Sequence, residues 1–397
     1  MFPRHAFLDF EGRRLSGARP FAVWETRDGK WSWTTDSSTR FPFASGSGDV
    51  LEELQNALRW CKNEYSNGGA LGFLAYDLAR QIEPRAFRSS KQNDLPVPDA
   101  RLVWYEELHN EPQPPIEHSD VAREDSKPEK QRPNPAYERA IAQILELIAA
   151  GDIYQANYTQ RFSCALPCSP RELYERLRAQ NPSPFGALLE WDDLAIVSNS
   201  PEKFLSLKNR VLEAQPIKGT MARGGNADED EALKAQLHLS AKDRAENVMI
   251  VDLLRNDLGR VCEYGSVRVP ELFAVQTFPT LHHLVSTVRG TLRANCDAVN
   301  AIRACFPCGS ITGAPKIRAM QIIDELESVR RGAAMGALGC FAFNGDMHWN
   351  VAIRTVTCLN GQAFFNVGGG IVADSEVGSE YAEMQLKAAA LKRALAA

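Results

Sequence analysis

In Pro216-Ile217-Lys218-Gly219-Thr220 a lysine is set between a proline and a glycine. Proline and glycine together restrict and shape a turn, so the amine is held on a short, stiff support. The alternating run Val211-Leu212-Glu213-Ala214 before it reads as the end of a strand. Most lysines are solvated surface charges. A stiff turn at a strand end is also a good way to present one amine as a nucleophile. The residues around it in sequence decide between the two.

The chain has 397 residues, with 44% hydrophobic and 24% charged residues, the composition of a soluble globular protein of one large or two ordinary domains. A formal net charge of -5 gives no nucleic-acid footprint. No uninterrupted apolar run is long enough to span a bilayer, and the N-terminus lacks a signal-peptide apolar core. Nine cysteines in a chain this size, an odd count, are not a disulfide scaffold, and Cys305-x-x-Cys308 has no second CxxC to partner it. Reduced thiols in a cytoplasmic enzyme are the expectation.

Organisation follows from local signals. Residues 1–110 form a first module, with hairpin-like strands flanking Arg27-Asp28-Gly29, a helix from Val50 to Tyr65 and a buried run Gly69–Tyr76. Residues 111–134 are rich in proline and charge and read as a linker or a long surface loop. Residues 135–397 form the larger module, opening with an Asn134-Pro135 helix cap. A polar loop is expected from Arg223 to Glu231, a long helix over Ala245–Leu258, a strand over Asn350–Cys358 and a final helix over Val377–Leu395. Strands and helices mix without regular alternation, which favours α+β over a doubly wound sheet.

Several groups carry possible chemistry. Asp243 and Glu246 share one helix face, as do Glu380 and Glu383, and Lys387 follows on the latter face. Either pair alone suits a solvated face. Two pairs facing each other would suit a hard cation such as Mg²⁺. Gly368-Gly369-Gly370 after a strand is a flexible turn or a place where amides meet an anion. Arg354, inside an apolar run, needs an anionic partner, structural or ligand. Gly309-Ser310-Ile311-Thr312-Gly313-Ala314-Pro315-Lys316 fails as a phosphate loop, because its glycine spacing is one short and a proline precedes the lysine. Glu202, after Ser200-Pro201, and His283 stand at strand ends.

Taken in order, these segments resemble the chorismate-utilising enzymes. The carrying motifs are Gly151-Asp152-Ile153-Tyr154-Gln155-Ala156-Asn157, Ser200-Pro201-Glu202, Pro216–Thr220, Ala245-Glu246-Asn247 with Asp252–Arg260, His283–Ser286, Gly309–Lys316 and Gly368–Glu383. The resemblance is strong over about Pro135–Leu395. It implies a layered sandwich of two large, mostly antiparallel sheets flanked by helices. Residues 1–110 would be a shortened N-terminal segment of the kind found in the anthranilate-forming branch, and 135–397 the chorismate-binding catalytic domain.

The resemblance also implies roles. Glu246 and Glu383 would bind Mg²⁺, with Asp243 and Glu380 acting through waters. Lys387, Thr312 and the Gly368, Gly369 and Gly370 amides would lie near the substrate. Arg354 would contact the enolpyruvyl carboxylate, Glu202 would protonate the departing C4 hydroxyl, and His283 would sit beside the ring. The water-adding branch carries a lysine base where this chain has Gln155, so water addition is disfavoured. The C2-aminating branch typically has alanine at the position of Lys218. A lysine there marks the C4-aminating branch, in which the amine attacks C2 and ammonia then displaces it from C4. The expectation is therefore Mg²⁺-dependent C4 amination toward 4-aminobenzoate and folate, with ammonia from a partner glutaminase. Its alternatives are anthranilate formation and a catalytically silent chorismate-binding subunit.

Overall fold

Alternation along the strands decides the layering. The computed structural model describes residues 2–36, 41–89, 91, 93–116, 132–278 and 281–396. Strand Gly69–Leu74 turns Leu71 and Phe73 to one side and Ala70 and Leu74 to the other. Its neighbour Ala100–Pro112 divides Val103 and Tyr105 from Leu102 and Trp104 in the same way. Phe185–Glu190 and Ala195–Ser200 send Ala187, Leu189 and Ile196 into the core that holds Leu71, Phe73 and Val103. Successive side chains of a strand point to opposite faces, so each of these strands has one face in a shared inner core and one outside it.

Two antiparallel arrays therefore lie face to face. One runs Arg13–Arg27, Ala100–Pro112, Gly69–Leu74, Ala337–Ala342, Met347–Asn350, Lys203–Lys208, Val211–Gln215, Leu281–Thr291. The other runs Phe185–Glu190, Ala195–Ser200, Thr355–Leu359, Gln362–Ile371, Gln155–Ala165. His5–Phe10 pairs with both Arg13–Arg27 and Phe185–Glu190, so the ladders are continuous through that strand. Helices Val50–Glu64, Ala241–Gly259 and Ala298–Cys305 cover the outside of the first array. Pro135–Ala149, Pro170–Gln180 and Val377–Leu395 cover the second. This is the expected α+β sandwich, with its two sheets joined at one strand.

The expected caps are in place. Asn134 accepts the Tyr137 N–H with Pro135 in the first turn, as expected; Asp49, not singled out from the sequence, also accepts the N–H groups of Leu51 and Glu52. The loop expected over Arg223–Glu231 instead contains the start of a helix, Ala227–Leu239, capped by Asn226. Within this helix Asp230 and Leu237 are buried, so it has almost no apolar stripe to betray it. The strand expected over Asn350–Cys358 is broken: Val351–Arg354 is irregular, and Arg354 takes a left-handed φ of 48°. Strands from residues 1–110 share ladders with later ones, Gly69–Leu74 with Ala337–Ala342 among them. Residues 117–131 of the stretch 111–134 lie outside the described residues. Among the described residues no helix is long and apolar enough to cross a membrane.

Two chain segments pass from one array to the other. Pro201-Glu202 joins Ala195–Ser200 to Lys203–Lys208, and Val351–Arg354 joins Met347–Asn350 to Thr355–Leu359. They are tied together, since the Val351 N–H donates to the Glu202 carbonyl (3.0 Å) and the Ser200 hydroxyl to the Val351 carbonyl (2.6 Å). Glu202 and Arg354 thus sit where the chain changes sheet.

Candidate active site

A bulge, not a turn, presents Lys218. Strand Ile217–Ala222 pairs with Leu281–Thr291, and its register slips between Ile217 and Thr220. Pro216 bends the chain out of Val211–Gln215, and its carbonyl accepts the Ser286 N–H (3.2 Å). Gly219 takes φ 84°, and a Cβ there would lie 2.9 Å from Asp243 Cγ. A side chain is therefore excluded by both conformation and space. The bulge turns Lys218 toward helix Ala241–Gly259, where its Nζ lies 3.5 Å from Glu246 Oε2.

Lys218 lines a cavity of about 700 Å³. Glu202, His283, Arg354, Gly368, Gly369, Gly370 and Lys387 line it too, as do the four carboxylates Asp243, Glu246, Glu380 and Glu383. Residues that were separate in sequence are thus collected on one surface. Gln155 and Thr312 are not on it. Gln155 is fully buried, with both side-chain amide atoms lacking partners among the described residues, and lies where a Gly370 side chain would be. The Thr312 hydroxyl donates to the carbonyls of Cys308 (3.0 Å) and Gly309 (3.2 Å), a local bond that short hydroxyl side chains often make. From the same motif Ser310 and Ile311 face the cavity instead. Sequence reasoning also passed over Lys242, Asn157 and Asn366, which are wall residues. Lys242 was the most accessible of these, standing next to Asp243.

The glycines lie within a strand, not after one. Gly368, Gly369 and Gly370 belong to Gln362–Ile371 and pair with Thr159, Tyr158 and Asn157. The neighbour on the other edge, Thr355–Leu359, pairs no further than Phe365. Beyond that point no strand among the described residues pairs with this edge, and Asn366, Val367, Gly368, Gly369 and Gly370 line the cavity. A Cβ on Gly368 would come within 1.8 Å of the Tyr158 carbonyl, so the two strands need glycine there.

The four carboxylates are carried by two helices, and two of them are in ion pairs. Glu246 is paired with Lys218, and Glu383 with Lys387 at 2.7 Å. The Lys387 Nζ also donates to the Gly368 carbonyl (3.2 Å), and Glu380 accepts from the Ser375 hydroxyl (2.7 Å). Partial desolvation pushes the Glu383 carboxyl up, but Lys387, Lys242 and Lys218 outweigh it and hold it below its ordinary range. Among the described residues, no three His, Cys, Asp or Glu side chains converge as a ready-made metal cage. The donors are all hard oxygens. They fit a cation such as Mg²⁺, which takes few protein ligands and fills its other positions with water and substrate oxygens.

Two groups have chemistry set by burial. Burial pushes the Glu202 carboxyl up to about 7, while the Ser310 hydroxyl, the Lys218 charge and the Ile217 N–H draw it back. Its Oε1 has no hydrogen-bond partner among the described residues. Burial and the Arg354 charge push His283 down to about 4, so it is a neutral ring near pH 7, with its Nδ1 2.9 Å from the Thr220 hydroxyl. Arg354 has no anionic partner among the described residues, and desolvation lowers it to about 10. It is still cationic at neutral pH.

The other family motifs brace this site. Lys316 pairs with Asp257 at 2.5 Å and donates to the Cys305 carbonyl (2.7 Å). Asn247 accepts from the Ser286 hydroxyl (2.5 Å), joining the helix of Glu246 to the strand beside Lys218.

Comparison with known proteins gives the family and the fold. The family described as chorismate binding enzyme matches residues 19–393. The chain is 38% identical to aminodeoxychorismate synthase component 1 of Bacillus subtilis, over 96% of this chain and 88% of that one. It is 41% identical to the Escherichia coli protein of the same name, over 90% of this chain and 84% of that one. Its fold matches the crystal structure of anthranilate synthase component I from Streptococcus pneumoniae with a TM-score of 0.78 at 29% identity, covering 96% of this chain and 92% of the other.

Proposed function

The chain belongs to the chorismate-binding enzymes, and from that premise we propose that it aminates chorismate at C4 to give 4-amino-4-deoxychorismate. The observation that carries this is Lys218, aimed into the cavity from a bulge, with an acid-poised Glu202 on the same surface. Relatives called aminodeoxychorismate synthase component 1 support it.

Arg354 takes the enolpyruvyl carboxylate, its lack of an internal partner being what a substrate anion would supply. The ring carboxylate lies toward Lys387 and the open edge of the glycine strand. Glu246 and Glu383, with Asp243 and Glu380 beside them, would hold Mg²⁺. When bound, the cation neutralises the ring carboxylate and draws charge from the ring. The Lys218 amine bonds to C2, the ring double bond shifts, and the C4 hydroxyl leaves as water with the proton of Glu202. Ammonia then bonds to C4, the double bond shifts back, the C2–Nζ bond breaks to release the lysine as a free amine, and the ammonium formed at C4 returns a proton to the Glu202 carboxylate. The net change replaces OH by NH₂, and chorismate plus ammonia gives product plus water. The neutral His283 packs beside the ring without donating a proton. The name "component 1" of the relatives fits an ammonia supply from a separate glutaminase subunit.

The deciding experiment incubates the purified chain with chorismate, Mg²⁺ and ammonium and identifies the product by chromatography and mass. We expect 4-amino-4-deoxychorismate. Anthranilate or isochorismate would overturn the assignment.

The acid role has a pH signature. Glu202 donates only while protonated, so turnover should fall as pH rises through about 7. The same proton affects stability. From the ordinary value of 4.5 to about 7, the folded protein keeps a proton that the unfolded chain releases. Stability from this group is complete below the lower value and is lost as pH rises through the upper one, about 3 kcal/mol in all. Glu202→Gln should remove that part of the slope in urea midpoints between pH 4.5 and 8. A variant with the wild-type slope would show that Glu202 is already ionised in the folded protein.

A further inference from the structure

Two of the four cavity carboxylates are already taken by lysines. The Lys218 Nζ lies 3.5 Å from Glu246 Oε2, and the Lys387 Nζ lies 2.7 Å from Glu383 Oε1. These two carboxylates come from different helices, Ala241–Gly259 and Val377–Leu395, and they stand foremost in the proposed Mg²⁺ site. The Lys218 pair is the better shielded. Its side chains are 13% and 16% exposed, against 46% and 57% for Lys387 and Glu383. A pair open to water is worth little, and a pair screened less is worth more.

The frame keeps both lysines where they are. Gly219 lies against Asp243 in the first turn of Ala241–Gly259, with no room for a Cβ. The Ser286 hydroxyl, on the strand paired with Ile217–Ala222, donates to Asn247 beside Glu246 (2.5 Å). The backbones under Lys218 and Glu246 are thus fastened to each other on both sides of the pair. Lys387 makes a second bond, to the Gly368 carbonyl (3.2 Å), which ties it to the glycine strand. Lys242 is the contrast: it lines the same cavity next to Asp243, with no ion pair among the described residues.

A divalent cation that approaches Glu246 or Glu383 therefore meets an ammonium group already there. The lysine has to give way or share the carboxylate, and either lowers the affinity for the cation. We propose that Glu246 is exchanged between Lys218 and the cation: before the cation binds, the carboxylate holds the lysine, and the cation, by taking Glu246, releases Lys218 to the cavity. Lys387 guards Glu383 in the same way, more weakly. Metal binding and release of the nucleophile are then one event. A substrate carboxylate that draws Lys387 off Glu383 strengthens metal binding, and by linkage the metal strengthens substrate binding equally.

The inference rests on the reading of this cavity as a Mg²⁺ site, and not on which carbon is aminated. Its test measures metal binding to the whole chain without substrate. Mn²⁺ is the probe, its free ion counted by EPR, and added Mg²⁺ should displace it. Lys218→Met keeps the bulk and removes the charge, and should lower the Kd for Mn²⁺ by about tenfold. Lys387→Met should lower it by about threefold, because its pair is more exposed. Lys242→Met removes a cavity charge but no pair, and should change it by less than about twofold. Lys218→Arg keeps the charge and should bind Mn²⁺ no more tightly than wild type. Equal Kd values for wild type and Lys218→Met would overturn the proposal and leave the metal site standing. So would a gain from Lys242→Met as large as that from Lys218→Met, since the effect would then be one of net charge alone. Binding of Mn²⁺ by none of these proteins would remove the metal reading and the proposal together. A wild-type enzyme that makes anthranilate would instead sink C4 amination and leave this inference intact.

Discussion

Replacing Lys218 by alanine should lower formation of 4-amino-4-deoxychorismate by at least about a thousandfold, the scale on which losing an activated nucleophile is felt. Chorismate should still bind, because Arg354, Lys387 and the glycine edge are untouched. Thermal stabilisation by chorismate with Mg²⁺ should therefore persist. The alanine leaves space at C2, and what amination remains should give anthranilate. Lys218→Met tests that space directly: it removes the amine but keeps the bulk, and should make neither product. A mass increase on the peptide containing Lys218, trapped from wild-type enzyme during turnover, is the positive counterpart. The opposing idea is that Lys218 serves only as the counter-charge of Glu246, 3.5 Å away. It would be favoured by undiminished 4-amino product from Lys218→Ala. The two ideas separate cleanly because a counter-charge can be lost at modest cost, whereas a covalent step cannot proceed without its nitrogen.

The parts of this molecule that could be read from sequence are those fixed by local periodicity. The continuous apolar runs in Gly69–Leu74 and Phe185–Glu190 declare strands with two buried faces, and the Asn134-Pro135 cap declares a helix start. Spacing of three places Asp243 with Glu246, and Glu380 with Glu383, on single helix faces. That these faces open on one cavity is a long-range fact that no window of sequence contains. The same holds for the sheet changes at Glu202 and Arg354. An apolar run such as Val351-Ala352-Ile353 reads as strand, and nothing local shows that it leaves one array for the other.

Misplaced residues have equally specific causes. Lys218-Gly219 has the residues of a turn, but a positive φ at glycine also makes a bulge, and pairing with Leu281–Thr291 selects the bulge. Thr312 was the obvious hydroxyl of its motif, yet its position in a short helical turn directs it to backbone carbonyls and leaves the wall to Ser310. Arg331 lay outside every motif. Its buried guanidinium is bonded to the carbonyls of Ile311 and Asn157, which are distant from it in sequence.

Arg354→Met should make the free protein more stable and its substrate binding much worse. The guanidinium sits in the cavity wall with no carboxylate beside it among the described residues, and desolvation alone brings it down to about 10. A charge in the cavity wall that is only partly hydrated and has no such partner costs free energy, here about 1 kcal/mol. Methionine covers the same apolar surroundings without that cost, so the urea midpoint should rise. The same uncompensated charge is what a substrate carboxylate would meet, and truncating one side of such a pair costs about 2–5 kcal/mol of binding. kcat/KM for chorismate should fall by about thirty- to a thousandfold, with most of the loss in KM. Arg354→Lys divides charge from shape: it restores part of the binding through its positive charge but not the two-pronged contact. Stabilisation of wild type by chorismate should exceed that of Arg354→Met in thermal unfolding, reversing or closing the gap between them. If Arg354→Met is instead less stable than wild type and binds chorismate equally well, the arginine is a structural residue and the enolpyruvyl carboxylate lies elsewhere in the cavity.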